Sequence, residues 1–153
     1  MNRDELIKGM EDKRILFGLF FAFSNRLQVA GDHFYEEITC KQFFLLICLS
    51  LFQECPPTIN ELSDIMGSSH QNVKQIVNKL VEKEFLEISP DNQDKRKLRI
   101  VMTDKMNQFQ HKYENQEIDF MDQLYNGVSK EEVLTTIQTL QKLENNLIKM
   151  EEI

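Results

Sequence analysis

At four expected helix starts along this chain a Ser or Thr is followed three residues later by Glu or Gln, ahead of a run with helical apolar spacing. The pairs are Thr39 with Gln42, Thr58 with Glu61, Ser68 with Gln71 and Ser129 with Glu132. Such a capping box satisfies backbone N–H donors that the first turn of a helix leaves without partners. One match carries little weight, but four at helix-sized intervals lay out a framework. Only five Gly and three Pro interrupt it in 153 residues, and the abundance of Leu, Lys, Glu and Gln favours helix.

The framework predicts six helices. Helix 1 is expected from about Asp4 to Val29, and helix 2 from Cys40 to Gln53, stopped by Pro56-Pro57. Helix 3 is short, Ile59 to Met66, with Gly67 supplying the left-handed turn that ends it. Helix 4 runs from Ser69 to Lys83 and places Val73, Ile76, Val77 and Leu80 at i, i+3, i+4 and i+7. The period then switches to alternation, Leu86 and Ile88 first, then Leu98, Ile100 and Met102. Between them the polar stretch from Ser89 to Arg96 makes a projecting hairpin loop. Helix 5 starts at Thr103 or Asp104 and ends at Asn126-Gly127; Ser129 caps helix 6, which continues to about Met150.

A short helix, a Gly turn, an amphipathic helix and a two-stranded hairpin define a winged helix-turn-helix in a mainly α (α+β) chain. The expected organisation is one continuous folding unit: residues 1–38 as an N-terminal dimerisation helix, 39–105 as the winged lobe, 106–153 as C-terminal dimerisation helices. In such a motif the second helix enters the major groove of double-stranded DNA. With its apolar stripe inward, helix 4 turns Ser69, His70, Gln71, Asn72, Lys74, Gln75, Asn78 and Lys79 outward. Amides pair with adenine edges, and hydroxyls, His and Lys reach phosphates or bases.

A formal charge of −7 opposes nucleic-acid binding as a total, but its distribution does not. Residues 58–103 hold seven Lys or Arg against seven Asp or Glu, so the excess negative charge lies elsewhere. Four of the five residues 95–99 are basic: Lys95, Arg96, Lys97 and Arg99. Phosphates respond to that local field, and the acidic remainder keeps the chain soluble.

Asp94-Lys95-Arg96, with Thr103 seven residues further on across an alternating strand, resembles the wing signature of the MarR family of transcriptional regulators. The similarity extends upstream through Thr58-Ile59-Asn60-Glu61-Leu62-Ser63-Asp64-Ile65-Met66 and Val77-Asn78-Lys79-Leu80-Val81-Glu82-Lys83. The resemblance implies that Arg96 reaches the minor groove from the wing tip, that Asp94 orients it, and that helix 4 reads the major groove. It also implies a ligand-responsive repressor with a small-molecule effector bound between the dimer helices and the lobe, acting on a pseudo-palindromic operator. The chain departs from the pattern at Glu84, where family members often have Gly, and at Ile88, where they often have Arg.

A homodimer built on the terminal helices is also implied, and the residues agree. Val133, Ile137, Leu140, Leu147 and Ile148 stripe helix 6, while helix 1 carries Leu6, Ile7, Met10, Phe17, Phe20, Phe21 and Leu27. That is more apolar surface than one terminal helix needs.

Other chemistry finds little footing. His33 and Glu37 share i, i+4 spacing, but no further ligands complete a metal site. His70 is better placed for DNA, and His111 sits on an exposed face. No phosphate loop, nucleophile elbow or carboxylate pair supports an enzyme or a cofactor. Cys40, Cys48 and Cys55 fit neither a disulfide framework nor a zinc cluster, which favours a reducing, cytoplasmic setting. Cys40 at the start of helix 2 raises a thiol-based redox-sensing alternative, since a helix dipole favours thiolate there. The other alternative is a winged-helix protein-interaction module that has lost DNA binding, in line with the net acidity. The nine-residue apolar run Ile15 to Phe23 is too short for a membrane span or a signal peptide of this flanking charge.

Overall fold

A computed structural model describes Glu5 and residues 7–151. Among these residues lie six α-helices and one two-stranded antiparallel hairpin: α1 Asp12–Phe34, α2 Cys40–Ser50, α3 Ile59–Met66, α4 His70–Glu82, β1 Leu86–Pro90, β2 Leu98–Met102, α5 Asp104–Leu124 and α6 Lys130–Glu151. The expected helix start at Asp4, and Leu6 among its apolar residues, lie outside the described residues. Two compact units are present, Met1–Asn107 and Gln108–Ile153.

Three of the four capping boxes form as read, at Thr39, Thr58 and Ser129. The fourth is shifted by one residue: Ser69, not Ser68, caps α4 and accepts from the Asn72 N–H at 3.3 Å. Ser68 instead receives the Asn72 side-chain amide at 2.8 Å. Gly67 ends α3 in the left-handed region (φ 56°), which fixes the sharp turn into α4.

Helix α1 differs from expectation at both ends. Gly9 adopts φ 90° in a turn closed by Met10 N–H to Ile7 O, so the helix starts only after an extended Glu11. At the other end it continues through Gly31 to Phe34. Gly31 is required there by close approach: a Cβ would stand 2.7 Å from Cys40 Cβ and Sγ. Helix α2 ends at Ser50, three residues before its predicted Gln53.

The core of the first unit gathers Leu45, Leu46 and Leu49 from α2, Leu62 from α3, Val73, Val77 and Leu80 from α4, and Phe85, Leu86 and Ile100 from the hairpin. Each such side chain contributes about 1.5–3 kcal/mol by leaving water. Helix α4 packs on α2, α3 and β1, so its rotation is set from three sides. The hairpin pairs Leu86 with Met102, Ile88 with Ile100 and Pro90 with Leu98, and the Ile100 N–H extends the pairing to the Pro57 carbonyl at 2.8 Å.

The exit from α4 uses paired 6→1 and 5→2 hydrogen bonds, Phe85 N–H to Leu80 O and Glu84 N–H to Val81 O, both 2.9 Å. Glu84 sits at φ 62°, the only described non-Gly residue with positive φ. The glycine expected at this position by family resemblance is therefore explained by backbone conformation. Thr103 closes the same corner, its hydroxyl donating to Glu84 O at 2.7 Å. Lys83 anchors it from the other side through Glu37 O (2.6 Å) and Gln42 Oε1 (3.2 Å).

Left-handed backbone costs a residue with a Cβ roughly 1–2 kcal/mol, offset in part by the freedom Gly adds to the unfolded chain. Glu84→Gly is accordingly expected to stabilise by about 0.5–1 kcal/mol, raising the melting midpoint by roughly 1–4 °C. Calorimetry on the two proteins checks this, and an unchanged or lower midpoint contradicts it.

Candidate nucleic-acid interface

Helix α4 separates its chemistry by face. Val73, Ile76, Val77 and Leu80 are buried, whereas Ser69, His70, Gln71, Asn72, Lys74, Gln75, Asn78 and Lys79 are all exposed. Its first turn carries no acidic residue, so the positive end of the helix dipole is left uncompensated by side chains there. Asn72 is partly occupied in holding the turn to α3, which leaves Gln71, Gln75 and Asn78 as the outward amides without a capping duty.

The wing is an ordered loop rather than a slack one. Asp91 Oδ1 accepts the N–H groups of Gln93 (2.8 Å) and Asp94 (2.9 Å), and backbone bonds join Asp91 to Lys97 and Lys97 to Asp94. Asp94 Oδ1 accepts the Arg96 N–H at 3.1 Å and lies 3.6 Å from Arg96 Nε. Arg96 nonetheless keeps 95% of its side chain exposed, a guanidinium at the loop tip facing outward. Lys95 and Lys97 flank it, both exposed.

Arg99 departs from the expectation that placed it with the outward cations. Only 16% of its side chain is exposed. Nε donates to Asp91 Oδ2 at 2.7 Å, and Nη1 donates to Pro56 O at 3.0 Å and Glu61 Oε2 at 3.2 Å. The cause is its position: Arg99 lies opposite Ser89 on the hairpin face away from Ile88 and Ile100. From there it reaches the start of α3. The pattern reading missed Asp91 and Glu61 as its partners. The available signal was Pro90-Asp91 opening the loop, since Asp readily bonds backbone N–H groups two residues on. Ile88, at the position where Arg was expected by resemblance, leaves 39% of itself exposed beside Leu98 at 52%.

Electrostatics follow the same contacts. The Asp94 N–H, the Arg99 guanidinium and the Gln93 N–H together pull the Asp91 carboxyl down to about 2. Thr58, through its N–H and hydroxyl, holds Glu61 below the ordinary carboxylate range, with Arg99 adding to the effect.

Cys40 is half-buried against Gly31, and its N–H is taken by Asp32 Oδ1 at 2.7 Å. Burial first, and the Asp32 charge second, push its thiol above the ordinary value. His33 and Glu37 do not share a helix, because α1 ends at Phe34; His33 Nδ1 lies 2.7 Å from Val29 O. Among the described residues no group of three His, Cys, Asp or Glu is placed to hold a metal. No described helix is long and apolar enough to cross a membrane.

The sequence model of the MarR family matches residues 38–98, from the residue before the α2 cap to the first residue of β2. That segment spans most of the winged-helix lobe. The MarR fold extends beyond that segment. A MarR/EmrR family transcriptional regulator from Acinetobacter sp. ADP1 superposes with a TM-score of 0.78 at 22% identity, covering 92% of this chain and 99% of its own. S. aureus MepR, solved as a DNA complex, gives 0.72 at 21% identity, covering 84% and 94%. Bordetella bronchiseptica BpsR, whose DNA binding is regulated by 6-hydroxynicotinic acid, gives 0.70 at 15% identity, covering 90% and 95%. No curated protein sequence matches the chain.

The Asp91 contacts give the wing a pH signature. A carboxyl near 2 in the folded protein, against 3.8 when unrestrained, contributes its full stabilisation above the higher value and loses it as pH falls through the lower. Carbon-detected NMR titration of Asp91 is expected to give a midpoint near 2. A midpoint close to the free value of about 4 would show the loop contacts to be absent in solution.

Proposed function

We propose that this protein is a homodimeric, sequence-specific regulator of transcription that binds double-stranded DNA, acting as a ligand-responsive repressor on a pseudo-palindromic operator. The observation that carries this reading is the pairing, in one compact unit, of an outward amide-rich face on α4 with a wing whose Arg96 is 95% exposed. A planar cation on a thin hairpin suits the negative potential of a narrow minor groove. The amides of α4 suit base edges in the major groove. Binding of DNA by MepR, within the same fold, supports the assignment, and the control of BpsR by a small aromatic acid supports an effector.

The dimer is inferred from unburied apolar surface. Phe17, Phe21 and Phe23 of α1 are 57–65% exposed, and Ile137, Leu140, Leu147 and Ile148 of α6 are 44–60% exposed. Apolar faces of this extent normally mark association. A second copy of the chain covers them, and a two-fold protein reads two half-sites.

Three measurements test the reading. Sedimentation equilibrium at micromolar concentration is expected to give twice the chain mass, and a clean monomer removes the dimer. Arg96→Ala is expected to weaken binding to a selected duplex by roughly 1–3 kcal/mol while leaving folding and assembly intact. Gln75→Ala or Asn78→Ala should narrow the ratio between selected and random duplex. Lys97→Ala, by contrast, should lower both affinities and flatten the salt slope by about one unit. Failure of the wild-type protein to bind any duplex at low salt rejects the function.

A further inference from the structure

An unbroken line of hydrogen bonds runs from the first turn of α3 to the wing tip. Glu61 Oε2 accepts from Thr58 N–H (2.7 Å), Thr58 Oγ1 (2.9 Å) and Arg99 Nη1 (3.2 Å). Arg99 passes the connection to Asp91 through Nε, Asp91 fixes the Asp94 N–H, and Asp94 holds Arg96 by its N–H and its guanidinium. The Pro56 carbonyl adds a second anchor for Arg99. The two ends of Arg99 thus join segments 8 residues away on one side and 38 to 43 on the other.

We infer that Arg99 and Asp91 are positioning residues that set the place of Arg96 relative to the helix-turn-helix, so that Arg99 serves DNA binding without touching a phosphate. The inference rests on the DNA-binding reading above. A guanidinium is needed because its planar fork presents Nε and Nη1 together to acceptors on separate segments, which a Lys ammonium on a flexible stem does not. Arg99 and Asp91 are shielded, with 16% and 14% of their side chains exposed, so the pair is less screened than a surface bridge. Asp91 would be a poor choice near phosphates if charge alone mattered, since it carries the wrong sign. Its value lies in the three hydrogen bonds it accepts.

The test compares wild type, Arg96→Ala, Arg99→Lys and Asp91→Ala by duplex affinity and, without DNA, by hydrogen exchange of the Lys97 amide. That amide donates to Asp94 O and touches neither altered side chain by hydrogen bond. Arg99→Lys and Asp91→Ala are both expected to speed its exchange and weaken duplex binding, each by about tenfold, the scale of one lost charge-assisted hydrogen bond. The α4 amides of Ile76 and Val77 should keep wild-type protection, which shows the lobe still folded. A direct phosphate contact predicts the reverse: Lys at position 99 restores binding, and Asp91→Ala, having lost a negative charge, binds tighter. Either of those results, or an unchanged Lys97 exchange rate, overturns the inference. Should wild type fail to bind duplex, the function falls while the exchange measurement still decides the relay.

Discussion

Burial of one side of α4 is the constraint on which the lobe depends. Val73, Val77 and Leu80 are fully enclosed and Ile76 nearly so, and a helix has a single rotation that satisfies all four. That rotation determines which side chains face water. The outward row of Gln, Asn and Lys is therefore not selected separately; it is what remains once the apolar row is committed. The same burial fixes where the chain leaves the helix. Phe85 and Leu86 must follow Leu80 into the core within six residues, and only a left-handed residue at position 84 turns the chain tightly enough. The strain at Glu84 is a local cost of joining α4 directly to a hairpin.

The hairpin in turn is anchored at its base by packing and at its tip by polar contacts. Leu86 and Ile100 are enclosed, while Ile88 and Leu98 on the same face progressively emerge. Apolar packing thus fades along the wing, and the Asp91–Arg99 pair takes over where it ends. A loop built from Pro, Asp, Asn and Gln has little else to order it. The entropy of the tip is lowered in advance, which benefits any partner that must meet Arg96 in one orientation.

Much of this was legible in the residues because the signals were local. Three capping boxes and Gly67 act within a few residues of themselves, so the starts of α2, α3 and α6 and the turn into α4 could be placed from sequence. The box at Ser68 misled by one position because Ser68 and Ser69 are adjacent and either hydroxyl can cap; only the backbone geometry chooses. Helix α1 was misplaced for a different reason. Gly31 is helical to admit Cys40 at van der Waals contact, a tertiary demand no window of sequence displays. Arg99 was grouped with its basic neighbours because charge runs ignore strand parity. Lys97 stays in the loop ahead of β2, whereas Arg99 lies within the strand and meets Glu61 only once α3 packs on β2. The surroundings of Cys40 were hidden for the same reason: its helix position was legible, but Asp32 and burial come from a neighbouring helix.

The inward turn of Arg99 changes how the wing's charge is to be counted. Four cations in five residues suggest a broad electrostatic grip, but one of them is committed to Asp91 and Glu61, and Ile88 supplies none where a family Arg often stands. The outward set is reduced to Lys95, Arg96 and Lys97. Counterion release scales with the number of phosphates neutralised, so a wing of this composition contributes modestly to salt-dependent affinity. The balance must be met elsewhere on the surface. Helix α4, with Lys74 and Lys79 among its exposed amides and an unopposed dipole at its start, is the element whose exposed chemistry meets that need. In the proposed DNA complex a net charge of −7 disfavours approaches that lead with acidic surface.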